Sequence, residues 1–505
     1  LQSSLGANLN LEHNHLGQLV KMQTQSEQNP WEASFGYDQM GLEIQRLLPG
    51  QVQQTTTRDA LGRPTEQLTG HASKRQRSRK YNWTTSNRLT QIIDSATGTT
   101  NFDYNKEGYL TQAKYADGTT TNRYPDAKGN LYEDANLKDR EYTHGGKLIK
   151  KGSWHYKYNH QGFLTEKYKK VGRIFVIKED EWNYEWNSAG LLEKVYRPDG
   201  AVVSFGYDAL GRRIWKNYKQ TTTNWVWDGS VPLHEWKGFV SKDPLSENLI
   251  TWVFEEDSFS PIAKLRGEKK YSILADHLGT PIEMYQDDGS LFWERQLNAN
   301  GKTIKETQQG SCPFLFQGQY YDTEIELAYN RFRYYDPEDG RYISQDPIGL
   351  LGGLLFYGYV HDSNVYSDPL GLSSTALNTA LGGSKSGMQA HHIIPEKVWN
   401  DPTNSQFLND IGLGSQRDAA SNGLHMYDSE SLARQNGKAY YHRGRHDDYS
   451  KKVNARLKEI RDDYKIHKDK VKAKAEVERL QKRLRNVLDR DSKQKNPRRV
   501  GYKKK

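Results

Sequence analysis

The sequence predicts a mainly β chain, a long array of antiparallel hairpins, followed by a small α+β domain that ends in a basic helical tail. Three observations predict it. A short phrase, an aromatic residue, Asp or Asn, two variable residues and Gly, recurs through the first 372 residues. The chain holds 32 Tyr and 12 Trp, side chains suited to amphipathic sheet faces. Charge is split along the chain: residues 373–505 carry 29 Lys+Arg against 16 Asp+Glu, a net +13, and the remainder carries 43 against 47, a net −4. Such asymmetry points to a polyanion-binding module joined to a near-neutral body. At 505 residues the chain exceeds one ordinary core, so at least two domains are expected.

The repeat can be followed in order. Phe35-Gly36-Tyr37-Asp38-Gln39-Met40-Gly41 returns as Phe205-Gly206-Tyr207-Asp208-Ala209-Leu210-Gly211. Variants begin at Tyr104-Asn105 and Tyr158-Asn159, and weaker copies begin at Trp186-Asn187 and run Arg58-Asp59-Ala60-Leu61-Gly62. Asp or Asn opens a turn through its side chain, and Gly supplies the positive φ that the turn needs. Flanks such as Tyr81 to Thr85 and Ala201 to Phe205 are β-branched or aromatic, as strands require. Repeats of this kind bury their faces only by stacking on neighbours.

Composition narrows the classes further. Mean hydropathy is −0.94 and the longest apolar run, Ile348 to Val360, is broken by four glycines, so no membrane-spanning helix is expected. Cys312 is the only cysteine, which excludes an internal disulfide framework and a cysteine zinc site and fits folding in a reducing cytosol. The chain starts at Leu1 without Met, and we expect it to be a fragment, from which an upstream targeting signal could have been removed.

The basic domain carries the candidate chemistry. Residues 373–387 are small and polar, with Gly382-Gly383 and Gly387, and read as a linker. Ala390-His391-His392-Ile393-Ile394-Pro395 reads as a strand stopped by proline, which places its two imidazoles on opposite sides. Asn422-Gly423 is a turn signal ahead of a second short strand, Leu424 to Tyr427. A helix is expected over Asp447 to Tyr464, with His442 and His446 four apart at its start. Three imidazoles, His391, His442 and His446, can reach one divalent ion, leaving His392 to take a proton and Asn422 to hold that base. Residues 465–505 alternate basic and apolar positions (Val471, Ala475, Val477, Leu480, Leu484, Val487, Leu488) and read as an amphipathic basic tail, mobile at Arg498, Arg499 and Lys503 to Lys505. Nothing resembles a base-reading motif, so contacts to nucleic acid would be to phosphate.

The repeat unit resembles the tyrosine-aspartate (YD) repeat of Rhs proteins and of the C components of insecticidal toxin complexes. The resemblance is most specific in Asn330-Arg331-Phe332-Arg333-Tyr334-Tyr335-Asp336-Pro337, Gly340-Arg341-Tyr342-Ile343-Ser344-Gln345-Asp346-Pro347 and Asp368-Pro369-Leu370-Gly371-Leu372. It implies a hollow β-shell, residues 1–345, that encloses a C-terminal toxin, and an autoproteolytic core end, residues 346–372, of aspartyl-protease type. By position, Asp346 and Asp368 would be the paired carboxylates and cleavage would follow Leu372. Two close carboxylates do not both ionise easily, so one can serve as acid and the other as base.

Residues 373–505 resemble the ββα-metal (His-Asn-His) nucleases, in particular their Ala-His-His toxin branch, through Ala390-His391-His392, Asn422-Gly423-Leu424 and His442-x3-His446-x2-Tyr449. The family order implies His391, His442 and His446 as metal ligands, His392 as base and Asn422 as its orienting partner. His425 departs from that pattern and reads as structural or solvated, the alternative being a ligand or substrate contact. The implied cofactor is one divalent ion, Mg²⁺, Mn²⁺, Zn²⁺ or Ni²⁺, and the implied substrate is DNA, with RNA open on the same fold. The resemblances further imply synthesis in a bacterial cytoplasm, export by a type VI secretion spike (VgrG-PAAR) with a chaperone as a further partner, action in a target cell, and a cognate immunity protein. The reading outside enzymology is a repeat scaffold or adhesion protein with a basic tail.

Overall fold

The computed structural model describes the chain apart from residues 25–29, 72–74, 173–176, 239–247, 257, 350–354, 373–387, 400, 414–419, 428–429, 442–446, 491–497 and 501–505. The chain divides into two units, the first ending and the second beginning near residue 373. No helix among the described residues is long and apolar enough to cross a membrane.

The first unit is built by its repeat. At Asp208 one carboxylate oxygen, Oδ1, accepts from the amides of Leu210 (2.9 Å) and Arg212 (2.8 Å), while Gly211 closes the turn onto Asp208 O at φ +73°. Asp38 accepts from Met40 and Leu42, and Asn187 from Ala189 and Leu191, in the same way. A short acceptor and a residue free to adopt positive φ are what each turn needs, and Asp/Asn and Gly supply them. The aromatic that precedes the acceptor has its own task. Tyr37, Tyr104 and Tyr207 donate their hydroxyls to the carbonyls of Leu19, Leu89 and Leu192, and Trp186 donates Nε1 to Leu164 O, all at 2.7–2.8 Å. Each ring thus packs on the sheet and satisfies a main-chain acceptor, which Phe cannot do.

Among the described residues of the first unit, the strands pair in sequence order and antiparallel. Eleven run from Leu9–His13 to Thr120–Asn122, and sixteen from Arg140–Tyr142 to Thr303–Glu306, with a two-stranded hairpin between. Within them burial alternates, as on Val202–Tyr207, where Val203 and Phe205 point into the core.

A four-stranded sheet follows (Tyr320–Asp322, Leu327–Asn330, Arg333–Asp336, Arg341–Tyr342) and differs in kind. Leu327, Tyr329 and Tyr334 join the cluster that holds Trp225, Trp252 and Trp293, whereas Ala328, Tyr335 and Tyr342 join Tyr359 and Val360. Both faces are covered, so its strands are buried at nearly every position. Asp322 anchors this sheet to the larger one through buried ion pairs with Arg213 and Lys216.

The second unit pairs the strand Met388–His392 with Gly423–Tyr427, antiparallel. Five helices accompany the pair among the described residues: α1 (Glu396–Trp399), α2 (Pro402–Asp410), α3 (Glu430–Gln435), α4 (Asp447–His467) and α5 (Lys470–Leu488). Asp401 caps α2 by accepting from the amides of Thr403 and Asn404, with Pro402 at its first turn. Ile394, Trp399, Phe407 and Leu408 pack with Val453 and Leu457 of α4 and with Ala473 and Val477 of α5.

The stretch read as a basic tail is therefore helical over Lys470–Leu488, and its apolar face belongs to this core. Val471 and Val487, read as part of that face, are exposed instead, and Gln481 takes a buried place on it. Arg498 and Arg499, read as mobile, pair as a short parallel strand with Tyr440–Tyr441.

Candidate active sites

The first centre lies where the chain returns across the four-stranded sheet. Asp346 and Asp368, 22 positions apart in sequence, are both 4% exposed and meet on one guanidinium. Arg333 Nη2 lies 3.2 Å from Asp346 Oδ2 and 3.1 Å from Asp368 Oδ2. The same side chain donates Nε to Gly371 O (2.6 Å) and Nη1 to Phe356 O (3.2 Å), and sits on the Tyr342 ring. Asp368 has two further donors: Tyr342 OH on Oδ2 (2.8 Å) and the Leu372 amide on Oδ1 (2.9 Å). Asn330 Nδ2 donates to Tyr342 OH (2.7 Å) and to Asp368 O (2.9 Å). Burial, and then the Asp368 carboxylate beside it, pushes the Tyr342 hydroxyl well above its usual range, so it stays a donor.

Asp346 is fixed at its own backbone, donating N–H to Phe356 O (2.8 Å) while Oδ1 accepts from the Ile348 amide (3.0 Å). Gly371 is required here. Its φ is +66°, and a Cβ would stand 2.7 Å from Asn330 O.

The second centre is the hairpin of the basic unit. The register sets His392 opposite Gly423, His391 opposite Leu424 and Ala390 opposite His425. Alternation then puts His392 and His425 on one face and His391 on the other. His391 is 1% exposed, and its ring centroid is 5.6 Å from that of Tyr449 in the first turn of α4. Tyr449 OH donates to Ile393 O at 2.6 Å, tying α4 to the strand end. His425 is buried, so the solvated alternative for it does not hold.

Asn422 sits beneath that strand end. Its carbonyl accepts from Ile393 N (2.8 Å), Oδ1 from Ile394 N (2.9 Å), and Nδ2 donates to Ile394 O (3.2 Å). From α5, Gln481 Nε2 donates to Asn422 Oδ1 (3.2 Å) and Arg485 Nη2 to Ser421 O (3.1 Å). His442 and His446 lie outside the described residues, as do the linker 373–387 and the first residue after the expected cleavage point. Among the described residues no three His, Cys, Asp or Glu side chains converge as a metal site. The donor that is described, a buried imidazole facing the start of α4, suits a first-row divalent ion.

Residues 79–350 match the teneurin YD-shell family model. The chain belongs to the YD-shell family. Residues 375–484 match the AHH family, nucleases of the HNH/ENDO VII superfamily with a conserved AHH, and Ala390-His391-His392 falls within that span. This YD-shell chain is therefore an Rhs-type repeat protein that carries a C-terminal AHH nuclease domain. Among its relatives, double-stranded DNA deaminase toxin A of Burkholderia cenocepacia (strain H111) is 29% identical over 385 residues, 68% of this chain and 26% of the relative. Probable deoxyribonuclease RhsB of Dickeya dadantii (strain 3937) is 32% identical over 227 residues, 42% of this chain and 16% of the relative. The chain thus spans about a quarter of the first relative and less of the second. The Tc holotoxin pore of Photorhabdus luminescens, with its TccC3 component, shares the fold: TM-score 0.52 at 16% identity, over 72% of this chain and 20% of that one.

Several residues at the two centres had no assigned task in the sequence. Arg333 and Tyr342 stand inside the quoted core-end phrases, yet nothing in a linear reading says that Arg333 joins residues 346 and 368. Gln481 left a readable signal, a lone amide four residues after Val477 on the apolar face of α5.

Proposed function

We propose that this chain is a secreted, antibacterial-type toxin whose repeat body encloses a nuclease and frees it by cutting after Leu372. The observation that carries the self-cleavage is the grip of Arg333 and Asp368 on the last residues before the cut: Arg333 Nε on Gly371 O and Asp368 Oδ1 on the Leu372 amide. These bonds fix the peptide so that the Leu372 carbonyl follows directly. One of the two carboxylates takes a proton from water, whose oxygen adds to the Leu372 carbonyl carbon. The other, protonated, gives its proton to the departing Ser373 nitrogen as the C–N bond breaks. Arg333 is a positioning residue, holding both carboxylates and the substrate strand at once. The products are a Leu372 carboxylate and a Ser373 amine.

In the nuclease domain, His392 takes the proton from the water that attacks phosphorus. Asn422 positions it through the main chain, pinning Ile393 and Ile394 directly after it. His391, with His442 and His446, would hold a divalent ion, which when bound stabilises charge on the phosphate and on the leaving oxygen. Exposed Arg479, Lys482 and Arg483 on α5 offer phosphate contacts without base readout, which supports cleavage with little sequence preference.

DNA is the favoured substrate because relatives include probable deoxyribonucleases of Dickeya dadantii. A cognate immunity protein and export by a type VI spike, with a chaperone, complete the reading; the relative Tse5 of Pseudomonas aeruginosa is itself named a toxin protein.

Incubation with supercoiled plasmid and, separately, with structured RNA tests the activity. In Mg²⁺, Mn²⁺, Zn²⁺ or Ni²⁺ we expect plasmid nicking, abolished by EDTA. Cleavage of RNA alone would move the reading to a ribonuclease, and cleavage of neither would leave a scaffold.

A further inference from the structure

We propose that Gln481, on α5, is a positioning residue of the nuclease centre that acts through Asn422; the proposal rests on the nuclease reading above. Gln481 is 4% exposed on a helix face otherwise made of Ala473, Val477, Leu480 and Leu488. A buried amide costs free energy unless it is bonded, and an aliphatic side chain would pack this face at no such cost. The bond that Gln481 makes is to Asn422 Oδ1, at 3.2 Å.

That oxygen then has two donors from different parts of the chain, Gln481 Nε2 from the helix and Ile394 N from the bend just past the strand. The pair of donors fixes which way round the Asn422 amide sits. Its nitrogen is thereby left to hold Ile394 O, so both polar groups of Ile394 are bound by one side chain. Ile394 is two residues after His392. One turn further along α5, Arg485 donates to Ser421 O, giving the helix a second hold on the same turn. The basic helix therefore has two jobs: its outer face is cationic, and its inner face sets the main chain that aims His392.

The test uses the full chain, Gln481→Met as a near-isosteric variant without a donor, and supercoiled plasmid as substrate. We expect kcat to fall about tenfold, the lower range for loss of a partner that supports a site residue, with KM little changed. Asn422→Ala combined with Gln481→Met should be no slower than Asn422→Ala alone, because the two act in series. Amide hydrogen exchange supplies a readout that needs no activity. The peptide covering 388–395 should exchange faster in Gln481→Met, while the peptide of α4 stays unchanged.

Unchanged kcat, or unchanged exchange at 388–395, would overturn the proposal. If the wild-type chain cleaves neither DNA nor RNA, the nuclease reading fails, and the exchange result still decides whether the brace exists. Should Gln481→Met fail to fold, Gln481→Glu keeps the shape, turns an acceptor toward Asn422 Oδ1, and must give the same two changes.

Discussion

Asp368→Asn is expected to leave the chain in one piece. The variant keeps the side-chain shape and one acceptor oxygen, which can serve the Leu372 amide or the Tyr342 hydroxyl but not both, so the core end should still fold with one of these donors unmatched. It loses the carboxylate that must exchange a proton with water or with the leaving nitrogen, and general acid–base help of this kind is worth roughly 10²–10⁴-fold. Asp346→Asn should behave alike, since the two acids share Arg333 Nη2 and work as a pair. A denaturing gel after purification reads the result: wild type as two bands, each variant as one full-length band. Cleavage after Leu372 persisting in both variants would remove the aspartates from the mechanism. Arg333→Lys is the informative third variant. One ammonium can neutralise the pair, but it cannot also hold Gly371 O and Phe356 O as the planar fork does, so cleavage should slow without a collapse of the fold. Arg333→Ala would strand two buried carboxylates, at a cost of about 3–5 kcal/mol, and would report on stability instead.

The second large effect is expected at His392. His392→Ala should cut the initial rate of plasmid nicking by about 10²–10⁴-fold, the range for loss of a general base, while the strand pairing with Gly423 persists. His391→Ala should also abolish nicking, through loss of the ion. The two separate in binding: metal affinity measured by calorimetry should fall for His391→Ala and hold for His392→Ala. Full activity in His392→Ala would end its assignment as base. A reversed pattern of metal affinity would exchange the roles of the two adjacent histidines.

The parts of this molecule that the sequence exposes are those fixed by local chemistry. Asp208 and Gly211 make their turn with bonds that reach only four residues, so the phrase that encodes it is visible in the chain. Tyr207 has to donate to Leu192 O one hairpin away, and the recurrent Tyr or Trp ahead of Asp or Asn records that demand. The two His faces follow from strand alternation alone. What the chain conceals is tertiary. Arg333 gathers Asp346, Phe356, Asp368 and Gly371 from four places along 38 residues, and no spacing rule predicts that convergence. Asn422 reads as a partner for an imidazole, yet its described side-chain bonds go to the Ile394 main chain and to Gln481, because the strand end lacks a ladder partner there. The basic C-terminal helix reads as a tail because charge dominates its composition. Only the packing of Ala473 and Val477 against Ile394 and Phe407 places it in the core.

Intact-mass spectrometry of the purified wild-type chain tests the central claim most directly. Two masses are expected, which sum to that of the full chain plus one water and meet between Leu372 and Ser373, the second being the basic domain. A single full-length mass, or a boundary elsewhere in the chain, would contradict it.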